Sequence, residues 1–228
     1  MMIDPYSAIK LSVWVGLSCV ILGFPLALFF GWLLARKNFR GKSLVSLLVF
    51  FPLSLPPVVT GLILLFLLGR NSVLGSFFSY LGLPLTFSLT GAIIASYVVG
   101  FPLYVMMIRS AFEAVDKRFE EVALTLGLSP WKVFFKVTLP LAYPGVLAGA
   151  ILSFARALGE FGATSIIAGN IEGETRTISL ALYSLLDSSS ESETSRNLIL
   201  VSLVISLISL VAYEYLMNLH RKRLELHD

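Results

Sequence analysis

The sequence predicts an all-α integral membrane protein, a single transmembrane domain over residues 1–228 with five membrane-crossing helices, its N-terminus outside and its C-terminus inside. Three observations carry this. Mean hydropathy is +0.87 and only 14% of residues are charged, against about a quarter in a soluble domain. The apolar residues gather into five runs, each long enough to cross a hydrocarbon core of about 30 Å. Basic residues cluster in alternate loops, which marks those loops as cytoplasmic.

Composition also excludes functions. A formal net charge of +3 is too small to point to nucleic acid. Cys19 stands alone inside an apolar run, so no intrachain disulfide can form. His220 and His227 follow the last run and read as a solvated tail, with no further His or Cys to complete a metal set. No GxxxxGKS or GxxxxGKT loop occurs, and no HExxH, paired aspartates or Ser/His set lies in the spans. The chain is therefore expected to be no enzyme and to need no cofactor of its own.

The first run, Ala8 to Ala35, is too long and starts too polar for a cleaved signal peptide. Arg36, Lys37, Arg40 and Lys42 follow it and place that loop inside. The second run, about Leu44 to Leu68, holds Pro52, Pro56 and Pro57, which remove backbone donors and require a kinked or locally unwound span. Such a break either lines a translocation path or serves packing alone. Residues 69–86 read as an external loop with a short re-entrant piece at SFFSYLG. A third span runs from about Phe87 to Ile108, kinked at Pro102, with Arg109 at its inner end.

Residues 116–140, DKRFEEVALTLGLSPWKVFFKVTLP, form the longest polar interruption, within a cytoplasmic loop of about 110–140. Phe119, Val122, Ala123 and Leu126 recur at i, i+3, i+4 and i+7, the apolar face of a short helix. Asp116 suits its N-cap and Gly127 the left-handed residue after its end. Ser129 and Pro130 open a second helix carrying Trp131, Phe134 and Phe135, which Leu139-Pro140 is expected to end. Glu120, Glu121, Lys117 and Arg118 give the surface charge. It is either a docking surface or an interfacial loop that shields the ends of its neighbours.

The fourth span is expected from about Tyr143 to Ala168, and Gly145, Ala148, Gly149, Ala155 and Ala157 let it pack closely in the interior. Arg156 and Glu160 are its two intramembrane charges, at i and i+4. Pairing is the default, because either alone costs a few kcal/mol in lipid. The pair is either structural or part of a gate or path for an anion. Asn170 to Ser195 reads as a longer external segment, and the last span, about Asn197 to Leu219, ends on a basic stop.

The 116–140 stretch resembles the cytoplasmic signature of the permease subunits of ABC-type importers: Glu-Ala-Ala, three residues, Gly, nine residues, Ile, one residue, Leu-Pro. The matching positions are Glu121, Val122, Ala123, Gly127, Val137, Leu139 and Pro140, with Val122 for alanine and Val137 for isoleucine. The resemblance implies that Glu120, Glu121, Ala123, Leu126, Gly127, Leu139 and Pro140 couple the chain to a separate ABC ATPase that holds ATP and magnesium. Ala155-Arg156 and Gly159-Glu160-Phe161-Gly162 are similar to the oxyanion branch of that family, which carries molybdate, tungstate or sulfate, and Asn170 to Ile178 looks most like its molybdate members. It therefore implies a molybdate permease of the bacterial inner membrane, paired with itself, with two ATPase subunits beneath and an external molybdate-binding protein. A tungstate or sulfate/thiosulfate permease is the alternative within the family; an ion-coupled secondary carrier is the alternative from another class.

Overall fold

A computed structural model describes residues 4–187 and 193–225, and all regular structure among them is helical. The order is α1 (Pro5–Arg36), α2 (Lys42–Ser54), α3 (Pro57–Leu68), α4 (Val73–Tyr80), α5 (Leu89–Glu113), α6 (Lys117–Thr125), α7 (Pro130–Val133), a π turn (Phe134–Thr138), α8 (Leu139–Leu158), α9 (Gly162–Ile167), α10 (Ile178–Asp187) and α11 (Glu193–Glu225). Among the described residues four helices are long and apolar enough to cross a membrane, and the bent pair α2 and α3 makes a fifth if it is one broken span rather than a re-entrant loop.

Helix α5 is the centre. Its Tyr104, Val105, Ile108 and Phe112 are fully buried, packed with Ala27 and Leu34 of α1 and Ala142 and Val146 of α8. Glycines set the approach of the long helices. A Cβ on Gly31 of α1 would fall 2.5 Å from the Ile108 side chain, and one on Gly145 of α8 would fall 2.7 Å from the Ala111 Cβ. Such contacts let backbones approach where lipid gives no hydrophobic drive between helices. Apolar side chains outside these seams, such as Leu203, Leu207 and Leu210 of α11, are exposed as a lipid-facing surface requires.

The second span is not one kinked helix. α2 and α3 meet at 112°, because Leu55 and Pro56 are both extended (ψ 142° and 135°), the conformation a following proline imposes. Pro52 is carried inside α2 and Pro57 opens α3 at its first turn, where a missing N–H costs nothing. Pro102 stays inside an unbroken α5.

The fourth span also differs from its expected limits. The helix runs without a break from Pro130 to Leu158, so Leu139-Pro140 does not end it. The π turn carries it past Pro140: the Leu139 N–H donates to the Phe134 carbonyl, one residue further back than in an α-helix. The span then stops at Gly159, and α9 is a separate short helix. The SFFSYLG stretch forms most of α4, and the Asn170 to Ser195 segment contains α10, residues 188–192 lying outside the described part.

His220 is no solvated tail. α11 continues beyond it, and the imidazole is buried against Gly145, where an added Cβ would lie 3.2 Å from the ring. His227 lies outside the described residues.

Candidate functional site

Two regions hold the residues singled out by sequence, near opposite ends of α8. At one end sits α6. Asp116 caps it, accepting from the Arg118 N–H at 2.9 Å. It closes through Gly127 (φ 84°), with Gly127 N–H donating to the Leu124 carbonyl and Leu128 N–H to the Ala123 carbonyl. This double bond pattern needs a left-handed residue, which glycine supplies without a Cβ penalty.

The apolar face expected for α6 is split. Ala123 is buried and Phe119 partly so, but Val122 is 57% exposed and Leu126 78% exposed. Leu124 joins them on the free side, as does Glu121. Glu120 turns inward: its Oε1 lies 2.9 Å from the Arg36 Nε and accepts from the Thr138 hydroxyl at 2.9 Å. Arg36 also donates to the Val115 carbonyl at 2.8 Å. One ion pair therefore ties together the end of α1, the turn before α6, α6 itself and the π turn. Leu139 is half-buried against the core, and Pro140 is exposed.

About 30 Å along the helix, at 1.5 Å per residue over its 20 residues, α8 ends at the second region. Arg156 Nη1 lies 2.8 Å from Glu160 Oε2, so the expected pair exists, although Glu160 belongs to the break after α8 and not to a continuous helix. The other Glu160 oxygen accepts from the Ala163 N–H at 2.8 Å, satisfying a free donor at the start of α9. Glu160 is buried, whereas the Arg156 side chain keeps 32% of its exposure.

The two interruptions meet. A Cβ on Gly162 would fall 2.9 Å from the Pro57 Cβ, and one on Gly61 would fall 2.8 Å from the Ala163 Cα. The structure thus brings the proline break of Pro56 and Pro57 against the loop that holds Glu160, while Pro52 lies a turn back in α2.

Sequence reasoning missed two sets of contacts. Arg36 reads in the chain only as a topological charge. The Asn170 to Ile178 segment is ordered and partly buried: Arg176 Nε donates to Asn170 Oδ1 at 2.8 Å, its Nη1 lies 3.3 Å from Glu172 Oε2, and the Ile178 N–H donates to the Ser12 hydroxyl at 2.8 Å. The mixed charges at 172–176, with an acid four residues before a base, were the available signal.

The sequence pattern described as "Binding-protein-dependent transport system inner membrane component" matches residues 23–225. The molybdenum transport system permease protein ModB of Haemophilus influenzae is 49% identical over 219 residues, covering 96% of this chain and 96% of that protein. ModB of Escherichia coli K12 is 43% identical over 222 residues, covering 96% and 97%. A structure of the MetNI methionine ABC transporter in inward facing conformations aligns with a TM-score of 0.70 at 15% identity, covering 96% of this chain and 94% of that one, a likeness of fold. The chain belongs to the family of binding-protein-dependent transport system inner membrane components, and is a multi-pass protein of the inner membrane.

Proposed function

We propose that this chain is the membrane-spanning subunit of a molybdate importer, working as a pair of copies driven by ATP hydrolysis on separate ATPase subunits, with capture assigned to an external molybdate-binding protein. The observation that carries the coupling is α6, a helix anchored on its inner side by Glu120 and Ala123 that leaves Glu121, Val122, Leu124 and Leu126 free. Exposed apolar side chains beside charge, on an element this firmly held, suit a protein partner. The substrate reading is supported by two relatives that carry molybdenum transport in their names and match almost the whole chain. The mechanism keeps ATP and magnesium on the partner: closure of the ATPase pair moves α6, and the Arg36–Glu120 pair passes the motion to α1 and α8.

Coexpression with the cognate ATPase and binding protein tests this. The permease should copurify with the ATPase, and reconstituted vesicles should accumulate molybdate only with internal ATP and external binding protein. Tungstate should compete strongly and sulfate weakly. Uptake driven by an ion gradient without ATP would move the chain to the secondary carriers, and sulfate uptake indifferent to excess molybdate would move it to the sulfate branch.

A further inference from the structure

A groove between α1 and the start of the Pro130–Leu158 helix has no role in the reading above. Leu28, Phe29 and Trp32 face Trp131 and Phe135 across a cavity of about 410 Å³, and Lys37 is the charged residue in its lining. Trp131 and Phe135 are largely exposed, with nearly parallel rings 6.3 Å apart. The Lys37 ammonium sits 5.3 Å from the Trp32 ring centroid, within cation–π range. Lys132 and Lys136 are exposed on the same turns, and with Lys37 and Arg40 they make no ion pair among the described residues.

The position says what fills it. α1 has 32 residues, about 48 Å at 1.5 Å each, which exceeds a hydrocarbon core of about 30 Å. Its last turn, ending at Arg36 with Lys37 just beyond, therefore stands among lipid headgroups, while Leu28 and Phe29 lie deeper. The groove opens onto exposed Leu22, Leu26 and Phe29, one apolar stripe of α1 at i, i+4 and i+7. Hydrocarbon is the matching solvent for such a surface. Because no carboxylate is among the described residues lining the groove, it offers nothing to the ammonium of a zwitterionic headgroup, and Lys37 selects negative charge.

We propose that this groove binds an anionic phospholipid, with an acyl chain along the aromatic walls and the phosphate on Lys37. The other candidates, a second copy of this chain and the ATPase subunit, become outcomes of the test.

The assembled transporter is placed in phosphatidylcholine nanodiscs containing a trace of photoreactive phosphatidylglycerol, irradiated, and mapped by peptide mass spectrometry. Adducts should concentrate on residues 25–37 and 130–136 and be competed by unlabelled phosphatidylglycerol but not by added phosphatidylcholine. Lys37→Gln should cut labelling there about fivefold, the contribution of one basic residue near a membrane surface. Trp131→Ala with Phe135→Ala should cut it at unchanged complex yield. Labelling spread evenly around the lipid-facing helices, or equal competition by phosphatidylcholine, overturns the proposal on the wild-type protein alone. Loss of the ATPase or of permease pairing in the lysine variant, with lipid labelling unchanged, assigns the groove to that protein partner instead.

Discussion

Glu120 and Glu121 are neighbours in sequence with opposite surroundings, and substitution separates them. Glu120→Ala leaves Arg36, only 5% exposed at its side chain, without its anion, a change that costs about 3 kcal/mol when a buried pair is broken. The melting temperature of the solubilised protein should fall by several degrees. Glu120→Gln, which still accepts from Thr138, should lose less. Glu121→Ala should leave the melt unchanged and weaken ATPase copurification; a matching destabilisation would give both residues the same structural role. Glu160 carries a second duty beside its pair with Arg156, since it also accepts from the Ala163 N–H. Glu160→Ala should therefore lower the yield of folded complex more than Arg156→Met does. Replacing both by Met should recover only part of the loss, measured as a double-mutant cycle in yield and uptake. A double variant that folds fully yet transports nothing would make Arg156 part of the anion path. The spacing at i and i+4 made this pair legible in the sequence. The Arg36–Glu120 pair was not, because helical periodicity places a residue on a face but names no partner from a distant helix.

Among the elements, α6 matched its expected start and end, and its packing differed. Cap chemistry is local, so Asp116 and Gly127 could be read directly; which half of an apolar face is covered depends on tertiary contacts, so Val122 and Leu126 could not. Gly127 has open space where a Cβ would go, so its requirement is one of backbone alone. Gly127→Val should cost about 1–2 kcal/mol through its positive φ, and Gly127→Asn less. Uptake per inserted molecule should drop with Val and be largely retained with Asn. Equal uptake for all three proteins would remove the turn from the coupling scheme. The proline break between α2 and α3 was legible as a break but not as a 112° bend, since the prolines dictate where hydrogen bonding fails and the neighbours dictate the angle. The helix running through Pro140 was illegible for a simpler reason: a π turn shifts the hydrogen-bond register, and a rule based on i to i−4 bonding reads proline as a stop.

For the molecule as a whole, the structure gathers Arg36, α6 and the buried His220 at one end of the bundle, and the Asn170 to Ile178 segment with Ser12 at the other. With the basic end inside the cell, a cysteine at exposed Glu174, in a Cys19→Ser background, should react with a membrane-impermeant maleimide in intact cells. One at exposed Ser129 should react only after permeabilisation. The reverse pattern would invert the orientation. The four long spans were legible because lipid demands long apolar segments, whereas the contact between α3 and α9 was not, being written in Gly61 and Gly162, which look like any other glycines in a membrane helix. That contact has a mechanical consequence. Neither glycine leaves room for a Cβ, so α3 and α9 lie nearly backbone against backbone and are expected to resist sliding past one another. Displacement of either short helix is therefore expected to carry the other with it.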